Sequence, residues 1–298
     1  MKVSEIKNAI NEDVRVFRDG EFDAVALLGL RRNETEKHIS FVLGSAYVDV
    51  AKQEGVECLI CPEEIADEVM ERFNGGVCVS ENPKTTFFNV HKALNKDNEK
   101  KPTVIDSSAV IAETAVISPY NVTIGPNVII EDNVVIRENV TIDEGAVVMD
   151  GTVVGTPSFY YFGDADTRTL VSSSGGVTLG KKVVIHSNCS IERGVIGGNT
   201  LVDDYSVIDN CILIGHDTLI HKNCIAAASA TFAGWVEIGE NTFVGLSATF
   251  APMVKVGANC TISMGAVVTK DVPDDSQVSG NFAIDHDKFI DNLKQSVK

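Results

Sequence analysis

The sequence predicts a mainly β protein built as a parallel β-helix, and one periodicity carries that prediction. Aliphatic, alanine or phenylalanine residues recur at every sixth position from Ile196 to Val268 without exception. A period of six fits neither an α-helix nor an ordinary strand. It fits a chain that turns a corner every six residues, with three short strands and about 18 residues per coil. The repeated positions are Ile196, Val202, Ile208, Ile214, Ile220, Ala226, Phe232, Ile238, Val244, Phe250, Val256, Ile262 and Val268.

The same spacing occurs earlier in the chain, from Ile124 to Val154 and again from Leu179 to Ile191. Two residues before each repeated position lies a second residue that is usually small or β-branched, which suits the narrow interior of a triangular prism. Gly, Asn or Asp often follows, as in Ile238-Gly-Glu-Asn241, where a corner requires a positive φ. We therefore expect the β-helix to run from about residue 103 to residue 280.

The first hundred residues lack this spacing and alternate helical with strand-like segments, which predicts a small α/β domain. A charged stretch from Asn95 to Lys101, followed by Pro102, is typical of a linker. We divide the chain into an N-terminal domain (1–101), the β-helix (102–280) and a C-terminal segment (281–298) with one short helix. The predicted strands are 24–29, 56–61 and 77–79, and the predicted helices are 47–54, 63–73, 84–94 and 285–297.

One long segment, 155–176, interrupts the repeat with the aromatic run Phe159-Tyr-Tyr-Phe162. An excursion of this length from a solenoid usually serves as a binding loop or a subunit contact. The sequence leaves both interpretations open.

Composition excludes several classes of protein. The formal net charge of −17 argues against nucleic acid as a partner, because phosphate backbones require a basic surface. The sequence has no apolar run long enough to span a membrane, and its polar start does not resemble a signal peptide, so we expect a cytoplasmic protein. Three of the seven cysteines, Cys189, Cys224 and Cys260, occupy small interior positions of the repeat and are expected to be reduced. The spacing of Cys58 and Cys61 suits redox or zinc chemistry, but the pair lies in a strand-like run with no second pair nearby.

His216 is the strongest candidate for chemistry. It lies at a corner, two residues after Ile214, and a step of 18 residues places Gly234 above it, followed by Pro252 and Lys270. A neutral imidazole at such a corner accepts a proton from an amine or hydroxyl, and the backbone N–H of a glycine one coil away can face a developing oxyanion. Spacing alone leaves a second interpretation open, in which His216 fills an ordinary exposed corner.

A family resemblance favours the catalytic interpretation. The segments 151–155, Ile191-Glu-Arg-Gly194 and 208–216 resemble the UDP-3-O-acylglucosamine N-acyltransferases of lipid A synthesis over most of the chain. That resemblance implies a left-handed β-helix with a uridine-binding N-terminal domain, a catalytic base at His216 and an oxyanion glycine at Gly234. It also implies that Phe41 and Tyr47 stack on uracil, although both would equally suit a domain core.

Three departures from this family put the lipid A substrate in doubt. Gly44 replaces an asparagine between the two aromatic residues, and Met253 lies where the family has a second histidine. The C-terminal helical extension that accompanies acyl carrier protein binding is reduced to about a dozen residues.

A second resemblance points to short-chain donors. The segments 214–217, 230–234 and 265–273, followed by Gly280-Asn-Phe-Ala283, are similar to coenzyme-A-dependent N-acetyltransferases of nucleotide-linked amino sugars. This resemblance favours Lys270 as a contact for a coenzyme A phosphate, with Trp235 and Met253 beside the acyl donor. Lys270 equally suits a solvated corner, and Trp235 equally suits a subunit contact. Asp217 either orients His216 or caps the corner.

Two other functional classes fit the sequence less well. His216 and His221 have the spacing of hexad-repeat carbonic anhydrases, but His186 lies out of register for a third metal ligand. A non-catalytic scaffold is disfavoured by the register of His216 with Gly234. The sequence therefore predicts no bound cofactor and no metal.

Together these observations predict a homotrimer, because flat prism faces are commonly buried by three-fold assembly and related acyltransferases place their sites between subunits. The preferred function is transfer of an acyl group from acyl-coenzyme A to the amine of a nucleotide-activated amino sugar, in surface polysaccharide or lipopolysaccharide synthesis. The alternative is the lipid A enzyme, which uses acyl carrier protein.

Overall fold

The computed structural model describes residues 1–30, 35–96, 100–280, 283 and 285–296. Its larger part is a left-handed parallel β-helix, as the six-residue spacing and the resemblance predict. Neighbouring strands in each face are successive coils of the chain, and along the regular part they are 18 residues apart. Ile208 pairs with Ala226, and Ile214 pairs with Phe232.

The described residues form three faces of this prism. The first contains Val110–Ile111, Ile129–Ile130, Val147–Val148, Val184–Ile185, Val207–Ile208, Ile225–Ala226, Phe243–Val244, Thr261–Ile262 and Gln277–Val278. The second contains Val116–Ile117, Val135–Ile136, Val153–Thr156, Ser190–Glu192, Leu213–Ile214, Thr231–Phe232, Thr249–Phe250 and Val267–Val268. The third contains Val104–Ile105, Val122–Ile124, Val140–Ile142, Gly176–Leu179, Asn199–Val202, Leu219–Ile220, Glu237–Ile238 and Lys255–Val256.

The interior of the prism is as narrow as the small residues predict. Cys189, Cys224 and Cys260 are buried in it, as expected. The polar interior side chains are satisfied by backbone carbonyls one coil away, and Thr218 Oγ1 donates to the carbonyl of Ala233 at 3.0 Å. A hydrogen-bonded hydroxyl is tolerated inside an apolar core where an unpaired one would be costly.

The corners have the backbone conformation that Asn was expected to supply. Asn223, Asn241 and Asn259 have φ of 57°, 59° and 56°. Their side chains form a ladder along the edge, in which Asn223 Nδ2 donates to Asn241 Oδ1 at 2.8 Å and Asn241 Nδ2 donates to Asn259 Oδ1 at 3.2 Å. Each amide thus holds both its own turn and the next coil.

One predicted interior position is wrong. Ile196 lies in a turn, half-buried, and packs against the N-terminal domain instead of the β-helix core. The chain leaves the prism after Ser190–Glu192 and returns at Asn199–Val202, so the residues between them form an outer bend. The single missing residue before Ile196 marks this bend in the sequence.

The N-terminal residues form a five-stranded sheet within the described range. Its strands are β1 (Arg15–Arg18), β2 (Ala24–Val25), β3 (His38–Phe41), β4 (Cys58–Cys61) and β5 (Gly76–Val79), in the order β1-β5-β4-β3-β2, with only β1 antiparallel to its neighbour. The helices are α1 (Ile6–Ile10), α2 (Tyr47–Gln53), α3 (Ala66–Arg72) and α4 (Pro83–Leu94), with short 3-10 turns at Val3–Glu5 and Glu63–Ile65.

Most predicted elements of this domain are present with altered ends. The strand expected over 24–29 ends at Val25, and the helix expected over 63–73 begins as a 3-10 turn. Sequence reasoning missed α1, β1 and β3, which are too short to show a period. A C-terminal helix, α5 (His286–Ser296), matches the prediction for 285–297 as far as residue 296. Residues 97–99 of the expected linker and residue 297 lie outside the described residues.

The segment 155–176 folds back between the two parts of the chain. Tyr161–Phe162 and Thr169–Leu170 form a small antiparallel hairpin. Phe162 and Val171 belong to the same buried cluster as Phe88 of α4, with the rings of Phe88 and Phe162 stacked at 5.1 Å. The excursion therefore attaches the N-terminal domain to the β-helix. No helix in the described part of the chain is long and apolar enough to cross a membrane.

Candidate active site

His216 lies at the corner that the repeat predicts, but it is buried there. Its residue is only 6% exposed, because the excursion and the next coil cover it. The following residue, Asp217, has φ of 57°, the left-handed conformation of a corner. The alternative interpretation, in which His216 fills an ordinary exposed corner, therefore does not fit its burial.

Asp217 fixes the orientation of the imidazole. Its Oδ2 lies 3.0 Å from Nδ1 of His216 and also accepts the backbone N–H of Val195 at 2.9 Å. The backbone N–H of Asp217 donates to Thr200 Oγ1 at 2.9 Å, which holds the turn. An ionised carboxylate only accepts hydrogen bonds, so the neutral tautomer that fits this contact has its proton on Nδ1 and its lone pair on Nε2. Both side chains are buried, so this arrangement is shielded from water.

Gly234 lies directly against the ring of His216. A Cβ atom on Gly234 would lie 2.5 Å from both Cε1 and Nε2 of that imidazole, well inside van der Waals contact. Only glycine leaves room for the ring in its present position. The stacking of Gly234 on His216 that the sequence predicted is therefore present.

The backbone N–H of Gly234 points to an unfilled hydrogen-bonding position. At the corner of Ala228, the equivalent N–H is capped by Asp209 of the preceding coil, whose Oδ2 accepts it at 3.0 Å. At the coil of Gly234 the equivalent neighbour is Gly215, which has no side chain. Among the described residues nothing accepts the Gly234 N–H, so this donor is available to a ligand.

Two aromatic rings enclose the imidazole edge to face. The centroids of Trp235 and His216 are 4.3 Å apart with planes at 89°, and those of Tyr160 and His216 are 5.8 Å apart at 87°. Tyr160 comes from the excursion and also contacts Phe88 of the N-terminal domain. Burial raises the pKa of the Tyr160 phenol. These rings exclude water around the histidine and leave a narrow approach to it.

Glu192 connects the excursion to the same corner. Its Oε2 accepts the backbone N–H of His216 at 3.1 Å and that of Phe159 at 3.4 Å. One carboxylate thus caps the coil of the histidine and holds the start of the excursion. The sequence shows Glu192 within a family motif but indicates no role for it.

The two aromatic residues predicted to stack on a nucleotide base occupy different environments. The Phe41 ring is half-buried at the end of β3 and packs on Phe87 with centroids 5.1 Å apart. Tyr47 begins α2 and is 57% exposed. Gly44 lies between them and leaves the Tyr47 ring uncovered, with its nearest atom 4.0 Å from the position of a Cβ on Gly44. One ring therefore has a free face, and the other is anchored in the domain core.

The residues predicted to hold the acyl donor follow Gly234 along the edge. Met253 is 51% exposed at the next corner, with φ of 67°, and Lys270 is exposed one coil later. Neighbouring strands lie about 4.8 Å apart, so Lys270 is roughly 14 Å from His216 along the prism. Phe282, quoted for the second resemblance, lies outside the described residues.

A cleft of about 520 Å³ opens beside this corner, between the N-terminal domain and the β-helix. Asp217 and Trp235 line one wall, and residues from β2 and the end of α4 line the other. Leu27, Leu94 and Ile196 contribute apolar surface. The cleft thus joins the histidine corner to the domain that was predicted to bind a nucleotide.

Comparison with known proteins finds similarities to acyltransferases. Residues 236–270 match the family model described as the hexapeptide repeat of succinyl-transferase. A 148-residue segment, 49% of this chain, is 42% identical to UDP-3-O-acylglucosamine N-acyltransferase 2 of Legionella pneumophila, and it covers 43% of that protein. An 83-residue segment is 36% identical to UDP-3-O-acylglucosamine N-acyltransferase 1 of Francisella tularensis, and it covers 27% of this chain and 24% of that protein.

A solved structure is similar over a larger part of the β-helix. UDP-N-acetylglucosamine acyltransferase from Campylobacter jejuni has a TM-score of 0.51 and 27% identity, and the match covers 66% of this chain and 81% of that one. The β-helix of this chain is similar to those of hexapeptide-repeat acyltransferases. Its matches span less than half the length of these curated relatives.

The geometry around His221 does not bring it together with His216. His221 Nε2 lies 3.0 Å from Oε1 of Glu237, on a different face of the coil from the buried His216. Within the described residues, no cluster of three or more His, Cys, Asp or Glu side chains has the geometry of a metal site. His221 is thus within hydrogen-bonding distance of a carboxylate on its own face of the prism.

The two cysteines of β4 lie in the core of the N-terminal residues, where their environment suits a structural role. Cys58 and Cys61 are fully buried, and burial raises the pKa of each thiol to about 11. A thiol with that pKa is protonated at neutral pH and is a poor nucleophile. Cys211, in contrast, is exposed at a corner of the β-helix.

Proposed function

We propose that this acyltransferase moves an acyl group from a thioester to the amine of a UDP-linked amino sugar. The observation that carries the proposal is the pairing of the Nε2 lone pair of His216 with the open N–H of Gly234 on one edge of the prism. A base and an oxyanion donor are the two groups that attack by an amine on a thioester requires.

In the proposed mechanism the amine nitrogen attacks the thioester carbonyl carbon. The new C–N bond forms as the carbonyl π electrons move to oxygen, and the Gly234 N–H donates to that oxyanion. His216 Nε2 accepts the proton that the amine loses, while Asp217 stabilises the resulting imidazolium. The tetrahedral intermediate then collapses, the C–S bond breaks, and the imidazolium returns its proton to the departing thiolate.

The acceptor supported best is UDP-3-O-acylglucosamine, as in lipid A synthesis. The names of the matched Legionella and Francisella relatives give UDP-3-O-acylglucosamine as the substrate and N-acylation as the reaction. They support the lipid A alternative more than the expected transfer from acyl-coenzyme A to a surface-polysaccharide sugar. We therefore propose acyl carrier protein as the thioester carrier. Lys270, exposed on the edge above His216, keeps coenzyme A as the second candidate.

Phe41 and Tyr47 are proposed to hold the uracil ring. The exposed ring of Tyr47 supplies a stacking surface, and the ring of Phe41 is held in place by Phe87. Aromatic stacking of this kind contributes about 0.5–1.5 kcal/mol beyond buried area. The cleft beside Asp217 gives the sugar a route towards the histidine.

A homotrimer is proposed as the working assembly. Phe159 is 80% exposed and Tyr161 44% exposed on the outer side of the excursion, with their rings 5.4 Å apart. An exposed aromatic pair beside a buried catalytic corner suits a subunit contact. Light scattering tests the assembly, and a monomer at micromolar concentration would contradict a site shared between subunits.

A parallel assay tests the reaction. The purified protein is incubated with UDP-3-O-acylglucosamine or with a short-chain UDP amino sugar, each with 3-hydroxyacyl carrier protein, 3-hydroxybutyryl-coenzyme A or acetyl-coenzyme A. Mass spectrometry should detect the amide with the carrier-protein donor and the O-acylated acceptor. Turnover with acetyl-coenzyme A alone would restore the short-chain hypothesis, and no amide in any combination would contradict the proposed function.

A further inference from the structure

Two arginines on the edge of His216 lack partners. The guanidinium of Arg193 makes no hydrogen bond or ion pair with any described residue, and its Nε is completely buried. Arg137 is exposed and is likewise unpaired within the described part of the chain. Burial removes water from a charged group. If no protein acceptor replaces that water, the group is destabilising, so buried donors without acceptors are rare in folded proteins.

The register places Arg193 next to the histidine and Arg137 two coils further along the same edge. Arg193 follows Ile191 by two residues, as His216 follows Ile214, and these two strands are neighbours in one face. The two corner positions are therefore about 5 Å apart along the prism. Arg137 lies on the same edge, in the coil of Ile136, below that of Arg193.

A glycine lies on the edge between the two arginines and packs closely against Arg137. Gly155 lies on the coil between them, with φ of 88°, where the excursion begins. A Cβ on Gly155 would lie 3.2 Å from Cβ of Arg137 and 3.0 Å from Cγ2 of Val140. A side chain there would displace Arg137 or Val140 from its present position.

The electrostatics of the pair favour an anion. Burial has the largest effect and lowers the pKa of Arg193, Glu138 raises it, and the positive charge of Arg137 lowers it by a smaller amount. Glu138 nevertheless lies beyond ion-pair distance of either guanidinium. Arg193 and Arg137 place two positive charges on one edge of a chain of net charge −17, where they can attract an anion.

We propose that Arg137 and Arg193 form a subsite for a phosphate group of a substrate that reacts at His216. The guanidinium groups match phosphate oxygens in geometry and charge. The phosphate has two possible sources, the diphosphate of the nucleotide sugar and the phosphate of the phosphopantetheine arm that carries the acyl thioester. The link to the reaction rests on the proposed function, whereas anion binding itself does not.

Calorimetry with inorganic pyrophosphate tests the subsite without any reaction. The variants are Arg193→Gln and Arg137→Gln, with Arg168→Gln as the matched control, because Arg168 is exposed on the excursion and loses the same charge. At one fixed low ionic strength, each subsite variant should bind pyrophosphate at least tenfold more weakly, as expected for loss of a charge-assisted hydrogen bond. Arg168→Gln should match the wild type.

Three further ligands distinguish the sources of the phosphate. If the subsite takes the nucleotide diphosphate, the variants lose affinity for UDP and keep their affinity for uridine. If it takes the donor phosphate, they lose affinity for phosphopantetheine instead. Equal affinity of wild type and Arg137→Gln for all phosphate ligands would overturn the proposal, and the exposed position of Arg137 keeps this test valid if Arg193→Gln fails to fold. Pyrophosphate binding that is lost in the variants of a protein without turnover would support the subsite and refute only the proposed function.

Discussion

Replacement of Gly234 by alanine should separate catalysis from folding. The new Cβ would lie 2.5 Å from Cε1 and Nε2 of His216, whereas ordinary contacts begin near 3.4 Å, so the ring must move by about 1 Å. Asp217, Trp235 and Tyr160 all oppose that movement through their contacts with the ring. A displacement of 1 Å at a reacting group costs about 10²-fold in rate, while overpacking costs about 1–3 kcal/mol of folding free energy.

Steady-state kinetics and thermal unfolding measure the two effects. We expect kcat to fall about 10²-fold in Gly234→Ala, with unchanged nucleotide affinity and a modest loss of stability. The double variant with His216→Ala is the control, because without the imidazole the added methyl has no ring to displace. It should recover the stability that Gly234→Ala loses. Wild-type kcat in Gly234→Ala would refute the placement of His216 against this glycine.

Four other perturbations follow from the structure. Asp217→Asn should lower kcat by roughly 10- to 10²-fold, because the imidazolium loses a charge-assisted partner, and the KM for either substrate should stay close to that of the wild type. Tyr47→Ala should weaken UDP binding by about 1 kcal/mol in calorimetry without loss of stability, since Tyr47 is exposed; equal binding would assign it no stacking role. A thiol reagent at pH 8 should modify Cys211 rapidly and the buried cysteines only after unfolding, and rapid loss of more than one thiol would contradict the native core. Because burial raises the pKa of Cys58, Cys61 and Cys224 from 9.0 to about 11, the free energy of unfolding should fall as the pH rises from 9 towards 11.

The β-helix could be predicted because every coil repeats the same physical requirement. Each coil must place one apolar residue per face in a narrow interior, so the spacing of Ile208, Ile214 and Ile220 predicts the register that the strands show. The same regularity placed Gly234 on His216. Ile196 was misassigned because its spacing is right by chance in a bend that leaves the prism.

The surroundings of His216 could not be predicted in the same way. Tyr160 reaches the imidazole from an excursion without periodicity, and the contact depends on packing against Phe88 of a different domain. The N–H of Gly234 has no acceptor among the described residues because Gly215 has no side chain. A signal was present in the sequence, because Gly215 occupies a position where Asp209 supplies a carboxylate in another coil, but only the structure shows which amide that carboxylate caps.

The central claim is that His216 accepts the amine proton during acyl transfer. The most direct measurement compares single-turnover amide formation by wild type and His216→Ala with UDP-3-O-acylglucosamine and 3-hydroxyacyl carrier protein at saturating concentrations. Loss of a general base predicts a rate lower by roughly 10² to 10⁴, with UDP affinity and thermal stability close to wild type. A His216→Ala protein that forms the amide at the wild-type rate would contradict the account.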